Sequence, residues 1–540
     1  MNTNMMMRFI LALMGCQLLL TGCKQEADPT LRNGLIYCME SAPTSMNPQL
    51  YTTGSMGSTL SQQVYDRLLT LNPLTQRIEG ALASDWSVSA DGLTYSFTLR
   101  PHVAFHTRPW FTPTRTMNAD DVVFSFRRML NSQHPFHNVS GGNYPFFDNT
   151  DFQEQVRDIR RVDDSHVEFQ LTAPNASFLS YLASDYAVIL SAEYAGKMML
   201  AGRPQLLDMQ AIGTGPFMQQ EFRSGEFIRL VRNENYWERM ATLQRLAFDY
   251  TPKANKRLTK LLTDECQVMS MPAASQVSFI RTQPTLSLSE DSGLNTSFIA
   301  FNTSKKPLSD LRVRQAIAQA INRDNLLQAV FFHTGEWANS LLPPISWGYN
   351  PNLQETDYDL QAARALLKKA GLDDGFDMTL WLQPTTQANN PTMLKTAQLL
   401  QSDLQRIGIR VRFVQLRWPL MRSMLQEGRH DALLMSWSAD TSDPDNFFRP
   451  LLGCQSRNDY GYNFSRWCNP EFERLMAQAN RSSQLADRIL SYQQMQSLVQ
   501  KELPLLPLVH SLNLYVSGKD VHNLETTPVG GIDFKHAYRE

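Results

Sequence analysis

Few residues in this 540-residue chain combine the type and spacing needed for covalent chemistry. Cys23 is the clearest. Leu20-Thr21-Gly22-Cys23 is a lipobox, a cysteine behind small residues at the end of an apolar run. Arg8 gives a positive start and Phe9 to Leu20 is nearly all apolar, the pattern of a secretory signal. That run is about a dozen residues, short of the ~20 that a membrane-spanning helix needs. Cleavage before Cys23 would make residues 1–22 a lipoprotein-type signal peptide. It would put a lipid on the new first residue and tether the chain to a membrane outside the cytoplasm.

Cys16 would leave with the signal, and Cys38, Cys266, Cys454 and Cys468 remain. An even number in an exported chain points to two disulfides, and four cysteines allow three connectivities. Cys454 with Cys468 closes a short loop and is the natural local pair. Cys38 with Cys266 would then join distant segments of one lobe. A zinc site lacks support, since there is no C-x-x-C and no histidine at ligand spacing to the cysteines.

His102 and His106 sit four apart on a stretch that reads as a strand, so they would share a face, but no third ligand is evident. His134 and His137 lie in a Gly/Asn loop and read as turn histidines, with an axial haem ligand as the competing role. Gly213-Thr214-Gly215 precedes Pro216 and lacks the G-K-[ST] of a phosphate loop. G-x-S-x-G and H-E-x-x-H are absent. With no nucleophile–base pair and no metal ligands, the chain reads as a binder with no catalytic residue, no metal and no resident cofactor.

Composition narrows the class. The chain is 42% hydrophobic and 19% charged, with a net charge of -2. That is a globular protein able to bury a large core. It has no basic face to neutralise phosphates, which argues against a nucleic-acid partner.

The elements that must position any site follow from periodicity. Trp86 and Val88 alternate with polar residues, Asp91-Gly92 turns the chain, and Leu93, Tyr95, Phe97 and Leu99 alternate again, a hairpin signal. Asn118 can cap a helix carrying Asp120 and Asp121 in its first turn, with Val122, Phe126, Met129 and Leu130 on one face. Residues 132–150 read as loop, and Tyr144, Phe146 and Phe147 within it as core. Val167, Phe169 and Leu171 mark a strand, and Phe227 to Val231 another. From residue 291 strands and helices alternate. Ser297 to Asn302 is strand-like and Ser309 can cap the next helix. Leu360 to Ala370 and Pro391 to Ile407 read as helices, Ile409 to Leu416 and Ala432 to Trp437 as strands. Glu502 to Pro507 should break regular structure, and the tail from 511 is strand-like. Trp381 and Trp418 read as packing.

Several segments together resemble the extracytoplasmic solute-binding proteins of peptide ABC importers: DGLTYSFTLRPHVAFH (91–106), MNADDVVFSFRRML (117–130), IGTGPF (212–217), FNTSKKPLSDLRVRQAIAQAINR (301–323) and ELPLLPL (502–508). WFTPTRTMNADDVVFSF (110–126), HNVSGGNYPFFD (137–148), ANKRLTKLLTDECQV (254–268), MPAASQ (271–276) and DPDNFFRPLLGCQS (443–456) resemble one branch of that family more closely. That branch is associated with peptide uptake, antimicrobial-peptide resistance and, in some bacteria, haem acquisition. The resemblance implies an α/β fold, a two-lobed periplasmic-binding-protein clamshell (type II, cluster C) with an extra subdomain in lobe one. Lobe one would take 23–290, lobe two 291–510, and the segment 511–540 would return to lobe one. The implied disulfides are Cys38–Cys266 and Cys454–Cys468. The implied partners are a peptide ligand and the permease subunits of an inner-membrane ABC transporter, and the protein would act as a monomer in the periplasm of a Gram-negative bacterium. The lipobox departs from the usual member, which has a plain cleavable signal.

A buried peptide ammonium needs an acid nearby, because stripping its water costs several kcal/mol. In dipeptide receptors that acid is the aspartate of a W-x-x-D step, and the corresponding residue here is Asp440, after Trp437. Trp437 could stack on a ligand group or a cation. Asp443 and Asp445 read as turn and cap residues. Dipeptide receptors hold the ligand carboxylate with an arginine in the region that matches 389–397. This chain has Leu394 and Lys395 there, so Lys395 is either the substitute, as a point charge without the bidentate fork, or a solvated helix lysine, and a strict dipeptide length is in doubt. The competing ligands in the same fold are haem and a polyamine, and the competing class is an exported hydrolase.

Overall fold

The strand Leu505–Gly518 runs through the whole molecule. At 14 residues and ~3.3 Å per residue it is long enough to serve two cores. Its first half pairs antiparallel with Asn295–Phe301, its middle with Gly335–Trp337, and its second half with Leu286–Ser292 and Val268–Ser270. One twelve-stranded sheet results, running from Ile409–Gln415 at one edge to Phe217–Arg223 at the other. The computed structural model describes residues 33–51, 55–73, 75–383, 390–457 and 461–540. Residues 1–22 and Cys23 lie outside the described residues.

Pro507 falls inside this strand, although Glu502 to Pro507 was expected to break regular structure. The helix Leu485–Glu502 does end there, with Leu503 in a left-handed conformation at φ 49°. The strand then starts at Leu505, and Pro507 faces Phe298 where the register shifts. A proline lacks the N–H a ladder needs, and an irregular pairing position tolerates that loss.

Alternation along the central strands builds two layers in lobe two. Ile299, Phe301 and Leu434 face one core with Val313, Ile317 and Leu380. Phe298, Ala300, Leu433, Met435 and Trp437 face the other, with Phe448 and Tyr492. A sheet buried on both faces reads as a continuous apolar run, as ALLMSW does. Lobe one has its own core around Leu35, Tyr37, Phe217, Leu246 and Phe248, joined by Ile532 and Phe534 from the returning C-terminal segment.

A separate four-stranded antiparallel sheet, Ala83–Val88, Thr94–Leu99, His166–Leu171 and Val156–Arg161 in that spatial order, forms the extra subdomain of lobe one. Gly92 takes φ 71° at the expected hairpin turn. Asn118 caps the helix Ala119–Leu130 through a reciprocal box with Asp121. Phe126 from that helix meets Phe169 edge-on at 5.2 Å. The 132–150 stretch contains a short helix, Pro145–Asn149, and Tyr144, Phe146 and Phe147 are buried in this core.

Local expectations are corrected at two further points. Residues 102–106 are a turn and coil, not a strand, with His102 at φ 63°. His106 is buried, and its ring bonds the Gly215 carbonyl at 2.9 Å and the Gly213 N–H at 3.3 Å. The cap of helix Leu311–Ala320 is Asp310 and not Ser309; its carboxylate accepts from the Arg312 N–H at 2.9 Å. Cys38–Cys266 and Cys454–Cys468 are both disulfides. Among the described residues, no helix is long and apolar enough to cross a membrane.

Candidate functional site

Among the described residues the chain passes between the core of lobe one and those of lobe two at Ser292–Asn295 and at Val509–Leu512, and these crossings lie side by side. The Asn295 side chain donates to the Ser511 carbonyl at 2.9 Å and accepts from the Ser511 N–H at 2.9 Å, replacing ladder bonds where regular pairing stops. His510 donates from Nδ1 to the Asn295 carbonyl at 2.8 Å. Burial pushes this imidazole down to about 4, which keeps it neutral. A Cβ on Gly293 would run into the Asn295 amide nitrogen and meet the Asn513 amide oxygen at 2.8 Å, so a larger residue there would press on the side chain that joins the crossings. A few element-terminal residues of this kind are what a hinge between rigid bodies requires.

Beside the crossings lies a cavity of about 1200 Å³. Lobe one contributes Glu40, Pro252 to Arg257 and Ser270 to Ala274. Leu294, Asn295, Ser436 and Ser438 to Asp440 form the opposite wall, and Ser511 to Tyr515 with Pro528 to Gly530 close the side nearest the crossings. Arg257 is a wall-builder. Its guanidinium is buried and donates to the carbonyls of Ser270 (3.0 Å), Thr251 (2.8 Å), Pro252 (2.9 Å) and Met271 (2.7 Å). Its fork thus ties two loops of the wall together, a task only a planar five-donor group can do.

Asp440 sits just past the carboxyl end of the strand Ala432–Ser438, the position where α/β sheets usually open a binding crevice. Two bonds fix the loop: the Ala439 N–H to the Leu294 carbonyl at 2.8 Å, and the Asp440 N–H to Asn446 Oδ1 at 2.9 Å. Asp440 is 8% exposed and lines the cavity. Burial pushes its carboxyl up to about 8; the neighbouring Asp185 pushes the same way, and a hydrogen bond with Tyr186 opposes both. Among the described residues Asp440 forms no ion pair. It is a desolvated acid that lacks a cation.

The other two anticipated ligand contacts are placed elsewhere. Trp437 lies between cavity-lining Ser436 and Ser438 on one strand, so the two-residue period turns its ring to the opposite face. Its indole donates to the Asn446 carbonyl at 3.0 Å and meets Tyr462 edge-on at 5.2 Å, in the core of lobe two. Trp437 therefore supports the Asp440 loop from behind. Lys395 is exposed on the helix Met393–Gln405 and is not part of the cavity lining. Its Nζ donates to the Ala329 carbonyl at 2.5 Å and sits 5.6 Å from the Phe332 ring. Lys253 and Lys256 are the lysines that do line the cleft.

Asp443 and Asp445 stabilise the segment after Asp440. Asp443 accepts from the Asp445 N–H at 3.0 Å and pairs with Arg488 at 2.8 Å. Asp445 pairs with Arg449 at 2.7 Å. Both also reach lobe one: Ser177 donates to Asp443 at 3.0 Å and Tyr181 to Asp445 at 2.9 Å. Asp185 and Tyr186 had no signal in the sequence, because nothing local marks them as neighbours of a residue 255 positions on. Cys38, Cys266 and Asp249 come close enough to suggest a metal site, but both thiols are consumed by the disulfide.

Known proteins share this two-lobed architecture. The family model described as bacterial extracellular solute-binding proteins, family 5 Middle, matches residues 77–459. The chain is 42% identical over 521 residues to the peptide transport periplasmic protein SapA of Salmonella typhimurium, covering 96% of this chain and 94% of that protein. It is 37% identical to heme-binding protein A of Haemophilus influenzae over 537 residues, 97% of this chain and 98% of that one. The crystal structure of the dipeptide-binding protein of Pseudoalteromonas sp. SM9913 in complex with Met-Leu superposes with a TM-score of 0.84 at 39% identity, covering 94% of this chain and 100% of that one.

Proposed function

The chain belongs to the bacterial extracellular solute-binding proteins of family 5, and from that premise we propose that it captures peptides between its lobes and delivers them to an inner-membrane ABC transporter. Asp440 carries the reading. A buried carboxyl without a counter-cation, on the wall of a cleft large enough for several residues, is built for the ammonium that heads a peptide. Lobe closure would bring the ammonium out of water to a carboxyl that is already desolvated. The likeness to SapA and to a Met-Leu complex supports peptides as the ligand class.

In this reading Asp440 binds the α-ammonium, Trp437 braces its loop, and Lys395 is left to the helix surface. The lobes divide at 290 and 510 as the two crossings suggest. Cys23 carries a lipid, the protein is a monomer in the periplasm of a Gram-negative bacterium, and no bond is made or broken in the ligand. The test is mass spectrometry of whatever co-purifies, followed by calorimetry with free-amine peptides of two to eight residues, with hemin and spermidine as competitors. Micromolar or tighter binding of peptides is expected. Binding of hemin or spermidine alone, or cleavage of the peptides, would replace this reading.

A further inference from the structure

A second, smaller cavity of about 250 Å³ adjoins the cleft, and Asp440 lies on the wall of both. Whole-ligand sites run from ~300 to ~1,000 Å³, so this space suits one long side chain better than a ligand. It is assembled from residues of five stretches, carrying Arg67 and Glu79, Asp185, Glu238, Asp440 to Ser442, and Glu525 and Lys535.

Its charge is one-sided. The acids on its wall are Glu79, Asp185, Glu238, Asp440, Glu525 and Asp533, against the cations Arg67 and Lys535. Both cations are already taken, Arg67 by Asp185 and Lys535 by Glu238 at 3.0 Å. Among the described residues Glu79, Asp440, Glu525 and Asp533 form no ion pair. Three polar atoms of wall residues lack any partner, one of them a donor, the Nε of Arg67, and two of them oxygens. Thr441 is 4% exposed with an unbonded Oγ1, and the Oε1 of Gln62 is buried and unbonded. Buried polar atoms are normally satisfied, so unbonded oxygens on residues of a cavity wall are free to turn to a ligand group that enters it. A carbonyl oxygen and excess carboxylates call for a donor with positive charge.

We propose that this cavity receives the side chain of the peptide's first residue and selects lysine or arginine there. The proposal rests on the peptide reading above: an α-ammonium held at Asp440 places the first side chain at the junction of the two spaces. A guanidinium or ammonium entering the smaller one meets the unpaired acids, Thr441 and Gln62.

The test is calorimetry with the tripeptides Lys-Ala-Ala, Arg-Ala-Ala, norleucine-Ala-Ala and Glu-Ala-Ala, and with Ala-Lys-Ala as the position control. The first two should bind at least ~10-fold tighter than the norleucine peptide, and the glutamate peptide should bind weakest. Ala-Lys-Ala should match the norleucine peptide. Thr441→Val and the exposed-site variant Glu525→Gln should each shrink the lysine-over-norleucine ratio several-fold. A wild-type ratio near one, or a ratio that both variants leave intact, overturns the proposal. If norleucine-Ala-Ala binds in an Asp440-dependent way without a lysine preference, only this inference fails. If no peptide binds, the peptide reading falls with it.

Discussion

Tyr181 in lobe one donates its hydroxyl to Asp445 in lobe two at 2.9 Å. The acceptor is already paired with Arg449, and the phenol is fully buried, so the bond is made in a dry environment. Burial, then the Asp445 charge, pushes the phenol well up, which keeps it a donor at any working pH. Hydrogen bonds to charged groups contribute ~1.5–3 kcal/mol. A double-mutant cycle of Tyr181→Phe and Asp445→Asn should therefore give a coupling of at least ~1 kcal/mol in denaturant unfolding. Zero coupling would show that the lobes are not tied at this point.

Asp440 predicts a pH dependence with a definite sign. Its folded pKa, about 8, stands above the usual carboxylate value, so the folded protein holds a proton there that the unfolded chain releases. This group therefore favours the native state at low pH, and its contribution is lost as pH rises from about 4 towards about 8. An ammonium ligand needs the ionised form. Peptide affinity should rise by up to ~10-fold per pH unit below about 8, then fall as the ligand amine, with pKa ~8, loses its proton. Binding at pH 7 should release close to one proton, measurable by calorimetry in buffers of different ionisation enthalpy. Asp440→Asn should abolish that release and cost ~2–5 kcal/mol of affinity for free-amine peptides. N-acetylating the peptide should weaken wild type much more than the variant; equal losses would remove Asp440 from the site.

What the sequence made legible was local. The Asp91-Gly92 turn, the Asn118 cap and the alternation of ALLMSW each depend on neighbours within a few positions, and each has its expected place. Asp440 was reachable because its surroundings form a contiguous motif. The direction of Trp437 follows from the strand period once the cavity side of Ser436 and Ser438 is known, and only the fold supplies that side. Lys395 differs for another reason: a long side chain goes to its nearest acceptor, the Ala329 carbonyl, which lies 66 positions away. The acid-lined space beside Asp440 joins five separated stretches of chain, so no window of the sequence contains it.

Lys395→Met should leave peptide affinity within about 3-fold of wild type, because its ammonium is spent on a carbonyl and an aromatic ring outside the cavity. A loss of ~30-fold or more, restricted to peptides with a free carboxylate, would return Lys395 to the site.

Cys454 and Cys468 are 14 positions apart and clamp the segment between the helices Asp445–Leu452 and Pro470–Arg481. Closing a loop of this length stabilises by ~3 kcal/mol in the chain-entropy model. The Cys454→Ser, Cys468→Ser double variant should unfold earlier in denaturant by about that amount. Neither cysteine lines the cleft, so peptide affinity should change little. Equal stability of the oxidised and reduced wild type would contradict this.

Arg257 gives the sharpest separation between building a site and touching a ligand. Its four carbonyl partners, on Thr251, Pro252, Ser270 and Met271, belong to two loops that line the cleft, and burial lowers the guanidinium's own pKa. Truncation leaves those oxygens without donors, at a cost of ~1–3 kcal/mol for each that water cannot reach. Arg257→Ala should lower unfolding stability by roughly 2–4 kcal/mol and weaken every peptide alike, acetylated or free. Arg257→Lys should recover only part of this, since a point charge cannot span both loops. Combined with Asp440→Asn, the affinity losses should add, because one residue shapes the wall and the other meets the ligand's charge. Strong non-additivity, or a loss confined to peptides with a free carboxylate, would instead make Arg257 a direct ligand contact.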